Sequence, residues 1–346
     1  MKTYIAHLFF RNSLHAGSAY AGIGIENTQD YLHSDTLWAA IANHWALLGE
    51  VNGINFKSFL SSFVEGTPLF LLSSAFPLSN CGNRYWLPRP CSLPRRFSLV
   101  NPDRIYYLQH YGKEIKNTCF VPLEVFKEWV RFRDFDFAYN KNNHISNSLR
   151  PQATLNRISM SANLFHSGIT YFENSAVDDR SGLYFLIKTE DKVIPALEKV
   201  LELIYELAGF GGNIHTGLGQ LAVPPLIHEI DEDWNEVIND EFEGANARCL
   251  LSLCHPTSAD FESGMDVAGF VHIIRKGWTG SLTTAMQVKR KTTAMLGEGS
   301  VLRATVTGGL ANVTPVTRMT PQWEGRHNVY RYGYAFTVPM QIDNND

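Results

Sequence analysis

Apolar and polar positions divide the chain into a short series of elements. Residues 3–10, TYIAHLFF, are aromatic-rich and partly alternating, which predicts a first strand. A glycine-rich loop follows at 15–24, HAGSAYAGIG. In HSDTLWAAIANHWALLG (33–49), Leu37, Ile41, His44 or Trp45, and Leu48 share one helical face, with Ser34 or Asp35 as candidate N-cap and Gly49 just past the end. From 68 to 153 the chain is rich in Pro, Arg and aromatics and has little period, apart from a short helix predicted over 123–132, LEVFKEWVRF. SGLYFLIK (181–188) predicts a strand. DKVIPALEKVLELIYELAG (191–209) predicts a helix that buries Leu197, Val200, Leu201, Ile204, Leu207 and Ala208. GQLAVPPL (219–226) predicts a short strand stopped by Pro224 and Pro225.

That order implies an α+β fold. Residues 1–228 suit a ferredoxin-like β-α-β-β-α-β unit interrupted by an insertion over about 68–180, with its missing strand near ATLNRISM (153–160). An acidic linker is expected at 229–244. Beyond it, ARCLLSLCHP (247–256), AGFVHIIRKGW (268–278), SVLRATV (300–306) and VYRYGYAFTVPM (329–340) supply strands for a second α+β domain over 245–346.

Composition adds charge to this outline. The net charge of -4 argues against a chain coated in basic residues for duplex binding. Charge is unevenly spread, however: 84–157 holds thirteen Lys and Arg against six acids, and 271–303 holds six against Glu298 alone. Between them, EIDEDWNEVINDEFE (229–243) carries eight acids and no Lys or Arg, which suits a solvated linker or helix face, or else a docking surface for a basic partner. Five cysteines without a C-x-x-C pair indicate neither a disulfide framework nor a structural zinc site, and fit a reducing cytoplasm. No apolar run approaches the length of a membrane span, and no metal or cofactor is expected.

GFGGNIHTGLGQL (209–221) holds five glycines and no Lys or Arg. Gly212 and Gly217 have P-loop spacing, but Leu218 and Gly219 stand where Lys and Ser or Thr are needed. Residues 217–222 match G-x-G-x-x-A, yet Val223-Pro224-Pro225 follows instead of a dinucleotide-binding helix. Two readings remain. Either the glycines only permit tight turns, or an open backbone lets an extended polyanion approach, with Asn213, His215 and Thr216 as polar contacts.

Four stretches together resemble a known family: LHSDTLWAAI (32–41), SSAFPLSNCGNRYWLPRP (73–90), the glycine loop itself, and KRKTTAMLGEGSV (289–301) with RYGYAF (331–336). They are similar to the RAMP subunit of type III-A CRISPR effectors that caps the crRNA 5′ end. The resemblance implies two ferredoxin-like, RRM-related domains that grip the repeat-derived 5′ handle. It implies contact with the large polymerase/cyclase-like subunit and the adjacent backbone RAMP subunit, with target RNA met only indirectly, and no nuclease activity. Family loops commonly carry Lys or Arg between the glycines, so here phosphate charge must be met elsewhere.

The expected RNA contacts are Gly209, Gly211, Gly212, Asn213, His215, Thr216, Gly217 and Gly219 in the loop, and His15 and Ser34 beside it. Arg150 and Arg157 flank PQATLN in a hairpin that corresponds to the thumb of RAMP subunits. Arg84, Arg89, Arg95 and Arg96 lie among Tyr85, Trp86 and Phe97, a mix suited to phosphate pairing and base stacking, and Lys289, Arg290 and Lys291 add a second basic group. Two alternatives stand beside this one. Processing endonucleases of the superfamily use a His near the first strand as base, for which His15 and His33 are the candidates. A scaffold without RNA contact is the other. Asp134/Asp136, Asp178/Asp179, Asp231/Asp233 and Cys249/Cys254/His255 lack recognisable metal-ligand spacing.

Overall fold

The computed structural model describes residues 1–11, 13–17, 26–79, 84–99, 101–139, 144–176, 179–238, 241–279, 288–316 and 327–343. Strand β1 (Lys2–Leu8) leads to helices α1 (Ser34–Leu48) and α2 (Phe56–Val64), then to strands β2 (Phe70–Leu72), β3 (Phe76–Ser79) and β4 (Arg84–Pro88). Helix α3 (Arg104–Asn117), strand β5 (Phe120–Pro122) and helix α4 (Leu123–Val130) precede a long hairpin of β6 (Ile145–Asn156) and β7 (Ser161–Phe172). Next come β8 (Gly182–Thr189), α5 (Ile194–Leu207), β9 (Ile227–Glu229) and α6 (Glu232–Ile238). The last third holds β10 (Ala247–Leu250), α7 (Ser258–Glu262), β11 (Val267–Gly269), β12 (His272–Arg275), β13 (Thr293–Leu296), β14 (Val301–Leu302) and β15 (Thr337–Met340).

One antiparallel sheet in the order β9-β1-β8-β3-β4-β5, with β2 also on β8, organises the first part. Its central strand explains why residues 181–188 read as an unbroken apolar run. Leu183, Phe185 and Ile187 enter one core, while Tyr184 and Leu186 enter another on the opposite face. The first core is capped by α1, α2 and α5, where Trp45 stacks on Phe59 at 4.5 Å and Leu197, Val200, Leu201 and Ile204 face the sheet. The second joins Phe76, Trp129, Tyr184 and Trp234 to Cys249, Val301, Val338 and Met340, so the C-terminal sheet, β11-β14-β10-β15, covers the other face directly.

Four expectations are corrected. The strand beside β8 is Phe76–Ser79, together with Phe70–Leu72, and not 153–160, which belong to the solvent-exposed end of the β6–β7 hairpin. The stretch expected as an insertion therefore supplies β2, β3, β4 and β5 to the main sheet. Residues 219–226 make only a bridge from Leu221 to Phe10, and pairing with β1 begins at Ile227, after the two prolines that have no N–H to give. Leu207 is exposed because α5 ends there.

The acidic stretch folds as α6, which buries Trp234, Val237 and Ile238. On its outer side Glu236 pairs with Lys127 and accepts from Arg131 through its carbonyl at 3.0 Å, so part of the acidic run neutralises part of the basic one. Cys91, Cys119, Cys249 and Cys254 are free thiols; Cys81 and Asp178 lie outside the described residues. Among the described residues no group of three or more His, Cys, Asp or Glu converges on a point, and no helix is long and apolar enough to cross a membrane.

Candidate nucleic-acid interface

The glycine loop has locked legs and an open crest. Phe210 N–H donates to Gly219 O at 3.0 Å, Gly219 N–H to Ser13 O at 2.8 Å, and Gly212 N–H to His15 O at 2.9 Å. Gly209 and Gly219 both have positive φ, and a Cβ on Gly219 would lie 1.8 Å from Phe210 O, so these two positions admit only glycine. Between the legs, a single 3-10 turn (Ile214–Thr216) is flanked by left-handed Asn213 and Gly217 and closed by Thr216 Oγ1 donating to Asn213 O at 2.7 Å. His215, Thr216 and Gly217 stand exposed at the top. The part of the earlier glycine-rich loop at 18–24 lies outside the described residues.

Beneath the crest is a cleft of about 200 Å³ lined by His15, Gly17, Gln29, Tyr31, Thr36 and Gly212 among others. His15 is buried, and its Nδ1 lies 2.7 Å from Gly168 O at the base of the hairpin. A Cβ on Gly168 would meet Glu26 O at 2.6 Å, which holds residues 26–30 close against that base. One side chain thus joins the crest, the cleft and the hairpin.

Behind the cleft wall lies a group of charges that sequence spacing does not reveal. Buried Asp35 receives Arg275 Nη2 at 2.8 Å and Nε at 2.9 Å, and it also pairs with Arg331. Burial alone would raise the Asp35 carboxyl, yet the two guanidinium groups hold it well below the usual carboxylate range. Arg275 Nη2 also reaches Thr36 Oγ1, at the cleft, at 3.3 Å. His33 Nδ1 lies 2.8 Å from Glu298 Oε1, and Ser74 donates to the same carboxylate. Ser34, expected at the RNA surface, is instead fully buried: its Oγ accepts from Leu253 N–H at 3.1 Å, and its N–H donates to Ser74 Oγ at 2.9 Å. Neither Ser34 nor Asp35 is the N-cap; that position is His33.

The remaining expected contacts divide by exposure. Arg150 pairs across the hairpin with Ser167, next to Gly168, while Arg157 sits in its turn, about 20 Å further out along an extended strand. Both are exposed. Alternation puts Arg150, Gln152, Thr154 and Asn156 on one face and Leu149, Pro151, Ala153 and Leu155 on the other. At the turn, Ile158 is 97% exposed and Met160 89%. Arg95 is exposed, but its neighbours are engaged. Arg84 holds Glu124 at 2.5 Å, Arg89 Nε donates to Thr118 O at 3.1 Å, and Arg96 lies over the Tyr107 ring at 5.2 Å. Lys289 lies over Trp278 at 5.5 Å and Lys291 is exposed. Arg290 is half-buried, and burial together with the nearby Arg331 charge lowers its guanidinium to about 10.

Residues 243–340 match the family model described as the CRISPR Csm4 C-terminal domain. The fold of the whole chain resembles a chain in a crystal structure of a Csm3–Csm4 subcomplex in the type III-A CRISPR-Cas interference complex, with a TM-score of 0.61, 18% identity, and coverage of 99% of this chain and 100% of that one. It also resembles a chain of the Csm1–Csm4 cassette in complex with cA4, with a TM-score of 0.60 at 18% identity and the same coverage. The same cassette with pppApA gives 0.60 at 18%, again over 99% and 100% of the two chains. No curated protein sequence matches the chain. Residues 243–340 thus match the Csm4 C-terminal domain by sequence, and the chain shares its fold from end to end with chains solved in Csm1–Csm4 and Csm3–Csm4 assemblies.

Proposed function

We propose that this chain is the non-catalytic RNA-binding subunit of a type III-A Csm complex, and that it holds the 5′ handle of the crRNA. The observation that carries this is the junction at His15. An open, side-chain-poor backbone crest, a cleft and the foot of an exposed hairpin meet there, a shape that admits an extended nucleic-acid backbone. Asn213, His215 and Thr216 offer polar contacts along the crest. Arg150, Arg157, Arg95, Lys289 and Lys291 are the exposed cations that meet phosphate charge, and the apolar turn at Ile158 and Met160 serves as the thumb that splays guide nucleotides.

Ferredoxin-like units over 1–228 and 245–346, joined by 229–244, belong to the same reading. Support for the first comes from the strand order β9-β1-β8-β3 with α1 and α5 on one face. Docking of the large subunit and of a backbone RAMP subunit is supported by likeness to chains solved in Csm1–Csm4 and Csm3–Csm4 assemblies. Work in the cytoplasm follows from that assembly. His15 and His33, the candidate bases for the nuclease alternative, are both buried and each is held through Nδ1, His15 by Gly168 O and His33 by Glu298. The test is to isolate the protein from its native cell and sequence the bound RNA. Short species that share one 5′ repeat tag are expected; random RNA, or none, would refute the proposal.

A further inference from the structure

A second cleft, of about 420 Å³, has on its wall Asp30 and Phe120, the chain neighbour and a ring partner of Tyr31 in the first cleft. Asp30, Trp86, Glu114, Asn117, Thr118, Cys119 and Phe120 line it. Its volume lies within the usual range for a site that encloses a small flat molecule. Tyr31 lines the first cleft and sets its ring edge-on to Phe120 at 5.4 Å, so the two clefts are neighbours along one track.

The two clefts differ in chemistry. No Lys or Arg lines the second one, and Asp30 and Glu114 give it negative charge, so a phosphate is repelled there. Asp30 Oδ1 accepts from Asn147 Nδ2 at the start of β6, which fixes the carboxylate and leaves Oδ2 to accept from a guest. Burial raises the Asp30 carboxyl, so a hydrogen-bond donor there is favoured over bare water exposure. Trp86, only 1% exposed, keeps a buried indole N–H without a partner. Arg84 covers the Trp86 ring at 5.6 Å and is itself engaged by Glu124, so it cannot neutralise the cleft. A guest that suits these walls is flat, offers N–H donors to carboxylates, and offers an acceptor to an amide or indole N–H. Lys and Arg side chains offer donors only. A uracil edge offers one N3–H, but flanks it on both sides with carbonyl oxygens that face the acids, whereas cytosine, adenine and guanine each offer an exocyclic amine with two N–H donors.

We infer that this cleft is a nucleobase slot that takes an amine-bearing base and rejects uracil, and that the RNA leaves the glycine crest past Tyr31 to fill it. The inference rests on the RNA-binding reading above. Cytidine and uridine decamers, matched in size and phosphate number, are the probes, titrated against the full chain alone and in its assembled complex. Wild type is expected to bind the cytidine decamer about tenfold more tightly. Asp30→Asn and the exposed-rim variant Glu114→Gln should each bring that ratio below about threefold while the uridine affinity is held. Equal binding of the two decamers by wild type, or an unchanged ratio in both variants, would overturn the slot alone. An equal gain for both decamers in Glu114→Gln would mean that phosphate passes the cleft and would also overturn it. So would variants that bind RNA normally but lose the large subunit, since the cleft would then hold a protein side chain. Wild type that retains neither decamer would overturn the RNA-binding reading as well.

Discussion

Replacing Asp35 by Asn should destabilise the whole chain, because it leaves two guanidinium groups buried without their counter-charge. Asp35 lies in the first turn of α1, whereas Arg275 and Arg331 come from the last third of the sequence, so the cluster joins the two halves. At about 4 Å and an effective dielectric of 20, each charge pair is worth roughly 4 kcal/mol before desolvation. Removing one partner from a buried group of this kind costs about 3–5 kcal/mol. For a chain of this length that corresponds to a fall in Tm of roughly 4–7 °C. Urea and thermal unfolding at pH 7 measure it. The carboxyl is held below its ordinary value, so its contribution is complete above the unfolded value near 3.9 and is lost as pH falls below that toward the folded value. The gap between wild type and Asp35→Asn should therefore narrow by about 1 kcal/mol between pH 5 and pH 3. A loss under 1 kcal/mol at pH 7, or a gap that widens in acid, would refute the reasoning.

Three further outcomes follow from the same geometry. Gly219→Ala should abolish the loop, seen as lost RNA retention and a Tm lower by several degrees, because its Cβ would collide with Phe210 O; Gly217→Ala, at a left-handed but open position, should cost only about 1 kcal/mol. Arg150→Glu combined with Arg157→Glu should weaken binding of a guide-length RNA about tenfold or more at low salt and flatten the salt dependence by about two phosphate contacts, measured by filter binding across a salt series. His7 is lowered to about 4 by burial and by His228, so it stays neutral in the fold, and stability should fall as pH drops from 6.5 toward 4 by up to about 3 kcal/mol. His7→Gln should remove most of that slope in pH-dependent urea midpoints.

The sequence made the long periodic elements legible because packing there follows local pattern: Leu37, Ile41 and Trp45 on α1, and Leu197, Val200 and Ile204 on α5, face the core as their spacing requires. Short strands were less legible. Phe76–Ser79 contains Pro77 and is recognisable as a strand only through its partners Leu183 and Tyr184. At the site, the missing Lys in the glycine loop was visible, but its legs depend on Ser13 and His15, about two hundred residues earlier. Counting charges overstated the basic surface, since Arg84, Arg89, Arg96, Lys127 and Arg131 are spent on internal partners. The Asp35 cluster had no local signal at all.

The core shared by β8 and the C-terminal sheet bears on how the protein is made. Until Val338 and Met340 leave the ribosome, Phe76, Tyr184 and Trp234 have one side without its cover, although every helix of the first half has already been synthesised. The stretch matched by sequence, 243–340, if cut out by itself, would therefore carry half of an apolar interface into water. Truncations that remove Val338 and Met340 should show first as lost solubility.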